Sequence, residues 1–216
     1  MRGQRIRHVL EFVTEYLPPA PARVLEVGCG GGELAHALGE AGYRVTAIDP
    51  RAPEGPMFLR VTLADFADPG PFDAVVASQS LHHLDDLDAA LDKIQRLLAP
   101  SGVLVVDDYA KERVDEPTAR WYYERRLELA RSGGKAAPDS FEECLREWQA
   151  DEADIHMYAA MRAELDRRFE ERHLAWVPYL YHELGEAAPE ELERELVEAG
   201  AIQATGFRYV GEAAKG

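Results

Sequence analysis

The sequence predicts an α/β fold, a doubly wound and mostly parallel sheet of about seven strands, with a helical insertion after the fifth strand. Three observations predict it. Short apolar runs alternate with helical stripes from the first residues onward, as in a parallel sheet with crossover helices. A glycine cluster, Gly28-Cys29-Gly30-Gly31-Gly32, stands between the first such run and the stripe that follows. From Lys111 to Tyr181 charges become dense and apolar residues keep helical spacing. The 216 residues are read as one domain, 1–216, with 111–181 as an inserted lid. At that length folding hides about 70% of the unfolded surface, enough for a core without disulfides or metal.

Ile6, Leu10, Val13 and Leu17 form one stripe of an opening helix, which Pro18 and Pro19 end. Arg23 to Val27 is the first strand, and after the glycines Leu34, Leu38 and Ala41 mark a helix capped by Gly42. Tyr43 to Ile48 reads as strand two, ending at Asp49-Pro50. Pro50, Pro53 and Pro56 leave no room for a helix before strand three, a weak apolar piece around Phe58 to Leu63 that stops at Asp65. Phe72 to Ala77 is strand four, Leu87, Leu91, Ile94 and Leu98 stripe the next helix, and Pro100-Ser101-Gly102 turns into strand five, Val103 to Val106. The insertion carries the stripe Tyr123, Leu127, Ala130, a capping box from Ser140 to Glu143, and the stripe Tyr158, Met161, Leu165, Phe169, so three helices are expected. His173 to Tyr181 reads as a strand, Pro189 to Ala199 as a helix closed by Gly200, and Ile202 to Val210 as the last strand.

Charge narrows the function classes. Lys and Arg number 24 against 40 Asp and Glu, a net −16 that repels a phosphate backbone, so nucleic acid is not an expected partner. The two cysteines, Cys29 and Cys144, match no zinc or redox spacing, so no metal site is expected and a reducing compartment is the simpler reading. The N-terminus lacks the apolar run of a signal peptide, and no stretch approaches the roughly 20 apolar residues that span a bilayer. A soluble, cytoplasmic protein without membrane contact is expected.

A glycine-rich turn from strand into helix brings backbone N–H groups close to a ligand. The dinucleotide fingerprint would need glycine at position 33, where this chain has Glu33. The segment Glu26-Val27-Gly28-Cys29-Gly30-Gly31-Gly32 instead resembles the first motif of class I S-adenosylmethionine-dependent methyltransferases, a family with a Rossmann-like fold. Further matches follow in the family's order, each at the C-terminal end of a strand, where open α/β sheets bind ligands: Asp49-Pro50, Asp65-Phe66, then Phe72 to Ser78 with Gln79 and Leu81-His82-His83-Leu84, and last Leu97 to Gly102. The resemblance covers Val24 to Asp107 and, more weakly, Pro189 to Val210. It implies S-adenosyl-L-methionine as cofactor, with Glu26, Gly28, Cys29, Gly30 and Gly32 at its amino-acid part and Asp49 and Pro50 at the ribose. Asp65 and Phe66 would hold the adenine, and Ser78 and Gln79 would also contact the cofactor.

The implied activity is methyl transfer to a small-molecule acceptor. His83, His82 and His182 are the candidate proton acceptors, since neutral imidazole takes a proton near pH 7; shaping of the loop is the competing role for the first two. Asp107, Asp108 and Tyr109 are either substrate contacts or ordinary loop polarity. Residues 121–181 hold all three tryptophans and ten of the nineteen aromatics, as walls of a dry acceptor pocket would require. Two other classes compete: a catalytically silent S-adenosylmethionine-binding module that docks a protein partner through the insertion, and a nucleotide-dependent oxidoreductase, against which Glu33 argues.

Overall fold

Strands of a parallel sheet are covered on both faces, so adjacent residues along them must both be buried. In the computed structural model, which describes residues 2–151 and 154–213, Val24 and Leu25 on β1 (Arg23–Val27) are fully buried, as are Ala74 and Val75 on β4 (Phe72–Ser78) and Leu104 and Val105 on β5 (Leu98–Tyr109). One face packs on α1 (Arg2–Tyr16) and α2 (Glu33–Glu40) through Val9, Val13, Leu34 and Leu38. The other packs on α3 (Leu87–Leu97) and α6 (Tyr158–Arg168) through Leu91, Ile94, Met161 and Leu165.

Seven strands lie in the order β3-β2-β1-β4-β5-β7-β6. β2 (Arg44–Ile48) pairs with β1 and with β3 (Phe58–Leu59) in parallel, and β4 bridges β1 and β5 in parallel. β7 (Gly206–Ala213) runs antiparallel to both of its neighbours, β5 and β6 (Phe169–Val177). The order reverses between β1 and β4, the point at which a crevice opens beyond the strand ends. No helix among the described residues is long and apolar enough to cross a membrane.

Several element boundaries differ from the sequence reading. β3 has two residues, and Leu59 at this sheet edge is 44% exposed; the chain from Arg60 to Asp65 leaves the sheet. α3 ends at Leu97, and β5 takes in Leu98. Phe169 does not continue the stripe of α6 but opens β6, an edge strand whose Glu170, Glu171 and Arg172 are exposed, so its charges imitate a helix surface. β6 stops at Val177, and Tyr181 begins the short α7 (Tyr181–Leu184). β7 starts at Gly206 rather than Ile202. Within 111–181, residues 169–177 therefore belong to the sheet, and α6 is a sheet-covering helix.

α4 (Glu116–Arg131) and α5 (Phe141–Asp151) remain outside those layers. Asp115 caps α4 by accepting the Thr118 N–H at 3.0 Å. The buried face of α4 carries Thr118, Ala119, Tyr122 and Arg126, one position from the predicted stripe, because the helix packs toward Tyr109, Leu180 and Leu184. α8 (Glu190–Glu198) precedes β7.

Candidate active site

A cleft of about 680 Å³ opens at the C-terminal ends of β1, β2 and β4. Its floor follows from the glycine turn. Gly28 has φ +76, and a Cβ there would stand 2.3 Å from the Cβ of Ser80, whose hydroxyl donates to the Val27 carbonyl at 2.6 Å. Gly30, at φ +50, has nothing within 4 Å of where a Cβ would project, so its missing side chain leaves the cleft open. Gly32 lies elsewhere: a Cβ there would meet the Phe58 ring at 2.6 Å, and the residue does not line the cleft.

Acidic groups surround this floor. Glu26 is 3% exposed, lines the cleft, and its Oε2 has no hydrogen-bond partner. Burial, then the nearby Glu33 and Asp49 carboxylates, push its carboxyl up to about 8. Asp49 accepts the Gly30 N–H at 3.1 Å and the Arg51 N–H at 2.7 Å, which ties the end of β2 to the glycine turn. Cys29 is buried, and burial first, then Glu26 and Asp49, push its thiol up to about 12, so it stays protonated and fills space. Pro50, Ser78 and Gln79 complete the lining.

The pair Asp65-Phe66 is not brought to the cleft. Phe66 is buried in the core with its ring centroid 6.2 Å from that of Phe72, and Asp65 accepts the Thr62 hydroxyl at 2.8 Å. Val61, Thr62 and Leu63, just upstream, supply that wall instead.

His83 closes the far side of the cleft and also lines a second cavity, of about 230 Å³. Burial first, then the neighbouring His82, hold its imidazole below the ordinary range. His82 is 4% exposed and its Nδ1 is paired with Asp108. Asp108 also accepts the N–H groups of Leu81 at 2.8 Å and Tyr109 at 2.7 Å, so His82 anchors the turn Leu81–His83 to β5. Asp107 pairs with Arg208 at 2.9 Å. His182 lies against the rings of Tyr179 and Tyr181 and lines neither cavity.

The second cavity is walled by Tyr109, Tyr122, Trp148 and Tyr179 and carries Arg126, Lys135, Glu147 and Glu183. The rings of Tyr109 and Tyr179 stack at 4.6 Å. Of these residues only Tyr109 stood out in the sequence as a possible substrate contact; aromatic density in the insertion was the signal for Tyr122, Trp148 and Tyr179, and the charged residues read as solvated helix faces.

A family model described as a methyltransferase domain matches residues 1–177. The chain belongs to the class I S-adenosylmethionine-dependent methyltransferase family. Among curated methyltransferases it is similar to the ubiquinone biosynthesis O-methyltransferases of Xylella fastidiosa, 37% identical over 113 residues, 45% of this chain and 46% of that one. Against that of Xanthomonas axonopodis pv. citri it is 39% identical over 111 residues, 44% and 46% of the two chains. The match thus spans about half the length of these relatives.

Solved methyltransferase structures share the fold. A putative S-adenosylmethionine-dependent methyltransferase from Listeria monocytogenes superposes with a TM-score of 0.59 at 15% identity, covering 99% of this chain and 100% of the other. The N-methyltransferase NodS from Bradyrhizobium japonicum WM9, in complex with S-adenosyl-L-homocysteine, gives 0.54 at 14%, covering 98% and 87%. The cofactor of this methyltransferase is S-adenosylmethionine, and the cleft fits it: an unsatisfied buried carboxyl at Glu26, open space over Gly30 and a ring of acids suit a cationic ligand.

Proposed function

We propose that this enzyme moves a methyl group from S-adenosylmethionine to a hydroxyl of a small molecule held in the second cavity, and that His83 accepts the hydroxyl proton. The observation that carries this reading is the position of His83, on the wall of both cavities at once. When bound, the cofactor supplies an electrophilic methyl group on a good leaving group. The protein's share is then orientation, exclusion of water and a proton acceptor. Glu26 and the turn from Gly28 to Gly30 hold the amino-acid part, Asp49 accepts from the ribose hydroxyls, and the Val61–Leu63 wall takes the adenine end.

His83 is suited to the proton because its lowered basicity keeps it neutral near pH 7. His82, engaged with Asp108, is a positioning residue, and His182 has no part in the reaction. α4 and α5 act as the lid, since Tyr122, Arg126 and Trp148 from them enclose the second cavity. That placement favours an enzyme with an acceptor pocket over a silent docking module. A hydroxyl acceptor also agrees with the names of the partial relatives, which are O-methyltransferases.

The test is His83→Gln assayed for S-adenosylhomocysteine release against a panel of hydroxylated small molecules. Turnover should fall about 100-fold, with cofactor affinity kept. In the parent enzyme, the loss of kcat/KM on acidification should lie below the ordinary histidine range, about pH 6.5. Full turnover in His83→Gln would remove the base assignment.

A further inference from the structure

Resting on the methyltransferase reading of the cleft, the second cavity also has features that select its occupant. Arg126 is 8% exposed, lines this cavity, and its Nε has no hydrogen-bond acceptor. Its other nitrogens donate to the Tyr122 hydroxyl at 3.3 Å and the Ala136 carbonyl at 2.9 Å. Among the described residues no carboxylate lies within ion-pairing distance of this guanidinium. A buried charge is costly without a counter-charge.

The two carboxylates on the same wall do not fill that role. Neither pairs with the guanidinium directly: Glu183 reaches it only through the Tyr122 hydroxyl, which donates to Glu183 and accepts from Arg126, and the exposed Glu147 acts on it only electrostatically. Lys135, exposed on the α4–α5 connection, adds a second cation to the lining. The remaining walls are aromatic: Tyr109 stacks on Tyr179 at 4.6 Å, and Tyr122 lies against Trp148 at 4.6 Å. At about 230 Å³ the space is smaller than the 300–1,000 Å³ typical of drug-sized ligands.

We infer that the second cavity takes a compact aromatic acid, whose carboxylate pairs with Arg126 and Lys135 while its ring lies on the aromatic walls and its hydroxyl is presented to His83. A guanidinium recognises carboxylate through charge-assisted hydrogen bonds. A volume of about 230 Å³ has room for a single ring. Selection is therefore for a hydroxy acid over its neutral ester.

Titration of the S-adenosylhomocysteine-saturated protein with 2-, 3- and 4-hydroxybenzoate and with their methyl esters tests this. At least one acid should bind ten-fold or more tighter than its ester, and Arg126→Met should abolish that difference. Lys135→Met, an exposed change that should leave the melting temperature unaltered, should narrow it several-fold, so the outcome does not depend on Arg126→Met folding. Equal binding of acid and ester, no binding of any of the three acids, or an unchanged preference in both variants would overturn the inference. Loss of S-adenosylhomocysteine binding is read separately; it would remove the cofactor reading, while the acid preference is still measurable on the ligand-free protein.

Discussion

Asp49 does two jobs at the end of β2. Its carboxylate ties the glycine turn through the Gly30 N–H and leaves lone pairs facing the cleft. Asp49→Ala should weaken S-adenosylhomocysteine binding by about 1.5–3 kcal/mol, since hydrogen bonds to a charged group are lost. The melting temperature should barely move, because the side chain is only half-buried. Calorimetry and a thermal melt on the same sample check both. Glu26 gives a pH signature. Its carboxyl titrates near 8 in the fold and near 4.3 unfolded, so between these values the folded state binds more protons. Stability must therefore fall as pH rises through that window, by an amount on the order of a few kcal/mol. Urea unfolding at pH 5 and pH 8.5 should show the fall, and Glu26→Gln should reduce it. An equal slope in the variant would assign the pH dependence to other groups.

At the scale of elements, legibility tracked how local each cause was. The glycine turn and Asp49 were readable because a tight strand-to-helix turn makes demands that neighbouring residues alone must meet. Asp65-Phe66 misled because Phe66 serves the core beside Phe72, so an aromatic in the right place in sequence faces the wrong way. The first residues of β6, 169–172, were missed because edge charges carry no period-two signal. Glu193 was invisible: it stands in a run of helix-surface acids, yet it is fully buried, accepting the N–H groups of Tyr179, Leu180 and Tyr181 and so placing Tyr179 in the second cavity. No spacing rule finds such a partner 12 to 14 residues away. The lid assignment makes its own prediction. Amides of 132–135, between α4 and α5, should exchange faster than those of β4 and β5. They should also gain protection when S-adenosylhomocysteine is added; exchange indifferent to the ligand would detach these helices from the cleft.

At the scale of the molecule, strand order and chemistry agree. The reversal between β1 and β4 opens the crevice, and the acids around it concentrate negative potential at the place proposed for the cationic cofactor. The aromatic helices that interrupt the chain after β5 add a cavity that meets this crevice at His83. On this reading the crevice suits S-adenosylmethionine and its demethylated product rather than a dinucleotide. Isothermal calorimetry of the purified chain with S-adenosylhomocysteine and, separately, with NAD tests it most directly. S-adenosylhomocysteine should bind with a micromolar dissociation constant, about −8 kcal/mol, and NAD should give no comparable heat; tight NAD binding with no signal from S-adenosylhomocysteine would show that the crevice is a dinucleotide site.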